Sequence, residues 1–392
     1  MKKVCVFTGT RAEYGLLRWV MESIRGSDKL DLQLIASGAH YSALHGWTYK
    51  EIEADGFRID RKVEMLLASD SPLAVSKSMA LAQMGVAEAI EALDPDLLLV
   101  LGDRYETLAA ASAALIMRVP VGHIHGGETT EGAIDDYIRH AITKLSNLHF
   151  VAAREYRERV IQMGESPSFV HLVGGLGIEA ARKCQLMSRD ELSANLGLDW
   201  KKNSMLVTFH PVTTEGSEQS VSQMRALLAA LHEFPEFTII LTRPNADQWF
   251  AGLNKEIDLF LVDHPNSKAF PSLGSRRYLS CMANVDLVVG NSSSALLEGP
   301  AFDKPAVNIG DRQKGRIRAA NVIDCPPDAR RISDAIRLAG SQGFRSAIAG
   351  KPNPFGDGRS SEMITSILER TDLSSLGRKS FHIIPLGLGD SQ

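Results

Sequence analysis

Cysteine is scarce in this chain. Cys5, Cys184, Cys281 and Cys325 are scattered without paired spacing. That excludes a disulfide framework and reads as free, structural thiols of a reducing compartment. An excess of one charge is also missing: 43 basic against 47 acidic residues leave a net −4, which offers no electrostatic footprint for nucleic acid. No apolar run approaches the length of a membrane span. The opening residues, Met-Lys-Lys-Val-Cys-Val-Phe, pass straight into a strand-like segment. They lack the apolar core and cleavage site of a secretion signal, so a cytoplasmic enzyme is expected. There is no internal repeat and no low-complexity block. Neither a Walker loop nor a G-x-G-x-x-G fingerprint is present.

What is present is length and alternation. A chain of 392 residues is too long for one ordinary domain, so two of similar size are expected. Apolar strands at residues 3–8, 32–36, 97–101, 119–124 and 148–151 alternate with helical patterns near 16–24, 72–92, 105–117 and 136–146. Continuous apolar strands separated by helices predict a parallel sheet covered on both faces. The second half repeats the scheme, with strands expected at 205–209, 237–241, 259–262, 285–289 and 305–309. The expected organisation is α/β: two Rossmann-like, doubly wound domains, 1–175 and 176–358, a helix over 359–376 packing back on the first, and a loosely held tail, 377–392.

In such sheets ligands bind beyond the strand C-termini, and chemistry gathers there. The first strand runs into Thr8-Gly9-Thr10-Arg11, where small residues admit a phosphate and Arg11 offers a bidentate contact. The strand at 97–101 ends in Gly102-Asp103, an acid placed for proton transfer, or for capping the next helix. The strand at 119–124 ends in His123-Ile124-His125-Gly126-Gly127-Glu128, followed by Asp135, Asp136, Arg139 and His140. H-x-H without a third ligand at metal spacing favours proton transfer over metal binding. The plain alternative for Asp135 and Arg139 is a surface i, i+4 ion pair. In the second half, His210 ends one strand and Arg243 and Asn245 follow another. Asn291, Ser292 and Ser293 open a helix that carries Glu298. Those hydroxyls and N–H groups suit a diphosphate, with helix capping as the alternative. Arg312 and Arg316 lie in a basic loop after the last of these strands.

The motifs GTRAEYG, GDRYET, HIHGGE, IDDYIRHAITKLS, TFHP, TRPNAD, VGNSSSALLEGP and NIGDRQKGR, in this order over roughly residues 1–370, resemble the UDP-N-acetylglucosamine 2-epimerases. The likeness is greatest to the hydrolysing branch, which serves sialic and legionaminic acid synthesis. The resemblance implies a GT-B-type fold with the active site between the domains and a homodimer. It implies no metal and no nicotinamide cofactor. It also implies that a UDP-sugar is bound with Ser292, Ser293 and Glu298 at diphosphate and ribose, and with Arg11 and His210 reaching the phosphates. Arg243, Asn245, Asn291, Arg312 and Arg316 join them as binding candidates, and Asp103, Asp135 and the Glu128 region supply acid–base groups. The implied chemistry removes the C2 proton as UDP departs, then adds water to a 2-acetamidoglucal with inversion at C2.

One position departs from the family. Much of it reads H-I-E where this chain has His125. Either His125 or Glu128 moves the proton, with His125 favoured for its strand-end position. The departure leaves UDP-N,N′-diacetylbacillosamine as plausible a substrate as UDP-N-acetylglucosamine. A non-hydrolysing epimerase, a GT-B glycosyltransferase and a non-catalytic nucleotide-sugar sensor are the rival readings.

Overall fold

A computed structural model describes residues 1–384 except 44–45, 70, 131–133, 201–202, 211–216 and 244–249. The chain divides into two compact units. The first comprises Met1–Glu128, Ile134–Glu179 and the chain from Phe355 onward; the second comprises Thr129–Ala133 and Ala180–Pro354.

The first unit holds seven strands: β1 (Lys2–Thr8), β2 (Leu30–Ser37), β3 (Arg61–Val63), β4 (Leu97–Leu101), β5 (Val121–Ile124), β6 (Leu148–Val151) and β7 (Val170–Leu172). They pair in the order β3-β2-β1-β4-β5-β6-β7, and every pairing is parallel. The order reverses between β1 and β4. All five residues of β4 are buried, which explains its unbroken apolar reading.

Helices cover both faces, and their ends are written in the sequence. Helix Arg11–Arg25 starts at Thr10, which forms a capping box with Glu13. It buries Tyr14, Leu17, Val20, Met21 and Ile24 at helical spacing. Helix Pro72–Leu93 starts with Ser71 as its cap and Pro at the first position, and it stops at Asp94 in the left-handed conformation.

The second unit repeats the scheme with β8 (Ser204–Thr208), β9 (Thr238–Thr242), β10 (Ser267–Phe270), β11 (Leu287–Gly290), β12 (Ala306–Ile309) and β13 (Val322–Cys325). The order is β10-β9-β8-β11-β12-β13, again parallel throughout. Its reversal lies between β8 and β11. There β11 ends at Gly290 (φ 137°), where an added Cβ would stand 1.9 Å from the carbonyl oxygen of Thr208. Only glycine fits at that strand end.

Two expectations are corrected. Residues 259–262 are not a strand; they close the helix Phe250–Val262. Leu253, Ile257 and Phe260 are buried while Leu259 and Val262 are exposed, a helical and not an alternating pattern. The strand follows as β10, a short edge whose residues are only partly buried or exposed. The tail is also not loose where it is described. Lys379 pairs with Glu165 at 2.7 Å and donates to the carbonyls of Lys144 and Ser146. The His382 N–H donates to Gly164 O.

Helix Ser360–Arg370 belongs to the first unit. Its Ile364, Ile367 and Leu368 lie in the same buried cluster as Leu17 and Val20, and Thr365 bonds Ser23. Leu176, at the start of helix Leu176–Lys183, is buried in that cluster too.

Candidate active site

The acid–base candidates of the first unit lie beyond β4 and β5. After β4 the chain turns at Gly102 (φ 82°) and presents Asp103. His123 of β5 holds this turn: Nε2–H donates to Gly102 O at 2.8 Å and Nδ1 accepts from the Thr143 hydroxyl at 3.2 Å. Burial drives the His123 pKa down to about 3, so it is a neutral strut.

Asp103 is bound by Arg139, whose side chain is only 2% exposed. Arg139 also donates to Glu128 O at 2.9 Å and to Asp136 Oδ1 at 3.4 Å. It is therefore no surface partner of Asp135, since its guanidinium fork joins three segments of the site. Asp135 is half-buried, and burial first, then the charge of Asp103, raises its pKa above the ordinary carboxylate range. A carboxyl group whose pKa is raised by burial and a neighbouring negative charge is suited to acid–base work.

The turn after β5 is built on strain. His125 has φ 65°, a left-handed conformation that costs a non-glycine residue roughly 1–2 kcal/mol. Gly127 follows at φ 78°, where a Cβ would meet Tyr156 O at 2.5 Å. His125 Nδ1 stands 3.2 Å from Glu128 Oε1. Its Nε2 accepts the Leu176 N–H at 3.2 Å.

Arg11, the first residue of its helix, pairs with Glu51 at 3.1 Å and is half-exposed. Beside it Glu13 accepts from the Gly9 and Thr10 N–H groups. Burial, then the charge of Glu106, raises its pKa.

In the second unit, candidates gather where β8 and β11 end. The Asn291 side chain is spent on His210: Oδ1 accepts the His210 N–H and Nδ2 donates to the His210 carbonyl, both at 2.8 Å. Asn291 O in turn accepts from Arg312 at 3.1 Å and from Gln313 at 2.9 Å. His210 Nδ1 is buried without a partner among the described residues. Burial first, then Arg312, lowers the His210 pKa to about 4. A neutral imidazole with an open nitrogen beside an arginine suits an anion.

The Ser292 and Ser294 hydroxyls lie 3.2 Å apart. Ser293 precedes a helix of only four residues, Ser294–Leu297, and Glu298 caps its end. So short a helix carries little dipole, and what remains for an anion are N–H groups and hydroxyls. Arg316 donates to Thr130 Oγ1 at 3.4 Å. Arg243 is held by Asn254 and Asp258 at 3.1 and 2.6 Å. Asn245 lies outside the described residues.

Three contributors had faint sequence signals or none. Arg139 stands in a quoted motif, where spacing offers it only as a face-sharing neighbour of Asp135, with a surface ion pair as the plain alternative. Gln313 stands in the basic loop and is 2% exposed. Tyr278, whose hydroxyl lies 3.5 Å from Thr208 Oγ1, carried no signal at all. Among the described residues no group of three or more His, Cys, Asp or Glu is arranged to hold a metal ion.

The family described as UDP-N-acetylglucosamine 2-epimerase matches residues 22–369. A GDP/UDP-N,N′-diacetylbacillosamine 2-epimerase (hydrolyzing) of Campylobacter jejuni is 40% identical over 82% of this chain and 84% of its own. The UDP-N,N′-diacetylbacillosamine 2-epimerase (hydrolyzing) of Legionella pneumophila is 36% identical over 96% and 97%. Among solved structures, UDP-GlcNAc 2-epimerase from Neisseria meningitidis bound to UDP-GlcNAc shares the fold, with TM-score 0.81 and 19% identity over 95% of this chain and 100% of that one.

Proposed function

The chain belongs to the UDP-N-acetylglucosamine 2-epimerase family, and from that premise we propose that it is a hydrolysing 2-epimerase acting on UDP-N,N′-diacetylbacillosamine. The products are UDP and the free N-acetylmannosamine-type sugar, a precursor class for nonulosonic acids. The observation that carries the reading is the placement of the candidate groups. In the first unit Arg11 follows β1 and the acid–base candidates follow β4 and β5, at and beside the reversal of strand order, and in the second His210, Asn291, Ser292 and Ser293 follow β8 and β11, at the reversal itself; reversal points are where such sheets bind ligands. The two relatives named for diacetylbacillosamine support that sugar.

In this reading the second unit binds the nucleotide. His210, Arg312, Ser292 and Ser293 hold the diphosphate, and Glu298 accepts from the ribose hydroxyls. Arg11 supplies a further phosphate contact once released from Glu51. The first unit supplies the acid–base groups Asp103, Asp135 and the pair His125 and Glu128.

The reaction is an elimination followed by a hydration. A base takes the C2 proton, the C–H electrons form C1=C2, and the C1–O bond breaks with its electrons leaving on UDP. Water then adds its oxygen to C1 and gives up one proton to a base, as an acid delivers a proton to C2 from the other face.

The working assembly is a homodimer in the cytoplasm. Leu73, Leu81 and Met84 on one helix and Leu115 and Ile116 at the end of the next are exposed, an apolar surface suited to a second copy. Among the described residues no helix is long and apolar enough to cross a membrane.

The test is UDP release from UDP-N,N′-diacetylbacillosamine and from UDP-N-acetylglucosamine, with light scattering for the assembly. Stoichiometric UDP and a two-chain mass are expected. An epimerised sugar still attached to UDP would replace this reading with the non-hydrolysing one.

A further inference from the structure

The basic loop after β12 is tied to the sheet by one of its own cations. We propose that Arg318 is a positioning residue for the nucleotide site, setting the loop 311–318 against the ends of β8 and β11. This rests on the epimerase reading above, which gives Arg312 and His210 to the diphosphate.

As sequence, Asp311-Arg312-Gln313-Lys314-Gly315-Arg316-Ile317-Arg318 is a charge run, and such runs are ordinarily solvated. Arg318 departs from that pattern. Its side chain is 26% exposed, and its guanidinium turns back on the loop. Nη1 donates to the carbonyls of Gln313 and Arg316 at 2.9 and 2.8 Å. Nε donates to both carboxylate oxygens of Asp324 at 3.1 Å. One planar group thus joins two loop carbonyls to a residue of β13. A lysine would supply the charge without this geometry.

The anchor is itself fixed. Asp324 stands opposite Asn308 in the β12–β13 register. Asn308 is 1% exposed, and its Nδ2–H donates to Asp324 Oδ1 at 2.6 Å. From this cross-strand pair the links run to the site. Arg318 holds the Gln313 carbonyl, the Gln313 side chain donates to Asn291 O, and Asn291 clamps the His210 backbone on both sides. Arg312 directly precedes Gln313 and ends on the same Asn291 O. Whatever fixes the backbone at Gln313 therefore sets where the Arg312 side chain starts. The Gln313 carbonyl also accepts the Arg316 N–H at 3.3 Å. Arg318 thus binds a turn already closed on itself and fastens it to the sheet.

Acting through shape and acting through charge predict different results. Calorimetry with UDP is compared with kcat and KM for UDP-N,N′-diacetylbacillosamine. Arg318→Met is expected to weaken UDP binding about tenfold, since bonds from a charged donor are lost. KM should rise in step, and kcat should fall less than about threefold, because Arg318 touches no reacting atom. Arg318→Lys should bind UDP within about threefold of Arg318→Met, since the fork and not the charge is what positions the loop. Asp324→Ala gives opposite signs. It removes a negative charge near an anion, so a charge effect would tighten UDP binding, whereas loss of the anchor should weaken it. Melts without nucleotide show which variants fold. The two Arg318 variants are also measured at low and high salt, which screens a charge effect and leaves a positional one.

Wild-type affinity in Arg318→Met or Arg318→Lys, tighter binding in Asp324→Ala, or a loss that vanishes at high salt would each overturn the proposal. Failure of the wild-type protein to bind UDP would overturn the epimerase reading and the proposal with it. UDP binding without UDP release from the sugar would overturn the hydrolysing reading alone, and the affinity comparisons would still decide the role of Arg318.

Discussion

Asn291 grips the backbone of His210 at both its N–H and its carbonyl, so the ends of β8 and β11 are joined by one fully buried side chain. Because Asn291 O also receives Arg312 and Gln313, this residue ties together the groups assigned to the diphosphate. It stood among the binding candidates, yet its amide is fully used inside the protein.

Asn291→Ala should therefore weaken UDP binding at least tenfold through His210, since a buried donor and acceptor lose their partner at about 1–3 kcal/mol each. Asn291→Asp keeps the acceptor for the His210 N–H and should fall in between. Calorimetry with UDP checks both, and unchanged affinity in the alanine variant would detach Asn291 from the nucleotide site.

Asp103→Asn should abolish turnover while leaving UDP affinity within about threefold, because it removes a proton-transfer group and no phosphate contact. Arg139→Ala strips a buried guanidinium from Asp103, Asp136 and Glu128 O. It should cost about 3 kcal/mol of stability, read by denaturant melts, and lower kcat. Wild-type stability in Arg139→Ala would remove it from its central place.

Ser293→Ala combined with Glu298→Ala should raise the dissociation constant for UDP by about tenfold or more, as two polar contacts are lost.

Acid should destabilise the fold before the carboxylates titrate. Burial, first among the causes in each case, lowers His40 and His210 to about 4 and His123 to about 3. Between these values and about 6.5 the unfolded chain binds more protons than the native one. The stability present above about 6.5 is therefore lost as pH falls toward 4. Glu13, raised by burial and Glu106, works in the opposite sense and loses stability as pH rises above the ordinary glutamate range. With the three histidines set against the raised carboxyls of Glu13 and Asp135, urea melts should show a net decline from about pH 6.5 to about 4.5, and a flat profile would contradict the burial of these rings.

The sheets were legible in the sequence because strands buried on both faces read as unbroken apolar runs, as β4 does. Short edges such as β10 and β13 carry half-exposed side chains and left no such mark. At the site, Asp103, Glu128 and His210 stood out because titratable groups closely follow apolar strands, and Asp135 because it opens the helix after them. What joins them was not legible. His125 meets Leu176 fifty-one positions away and Asn291 meets His210 across eighty-one, and such pairings exist only once the sheet is formed. Arg139 shows the same limit: spacing can only offer it Asp135 as a neighbour, while burial turns it toward Asp103.

The most direct test of the account is proton NMR of the protein with UDP-N,N′-diacetylbacillosamine in D2O. Free UDP together with a free sugar of inverted C2 configuration, carrying deuterium at C2, is the predicted result. A C2 that keeps its original proton in the released sugar, or an inverted sugar still bound to UDP, would contradict it.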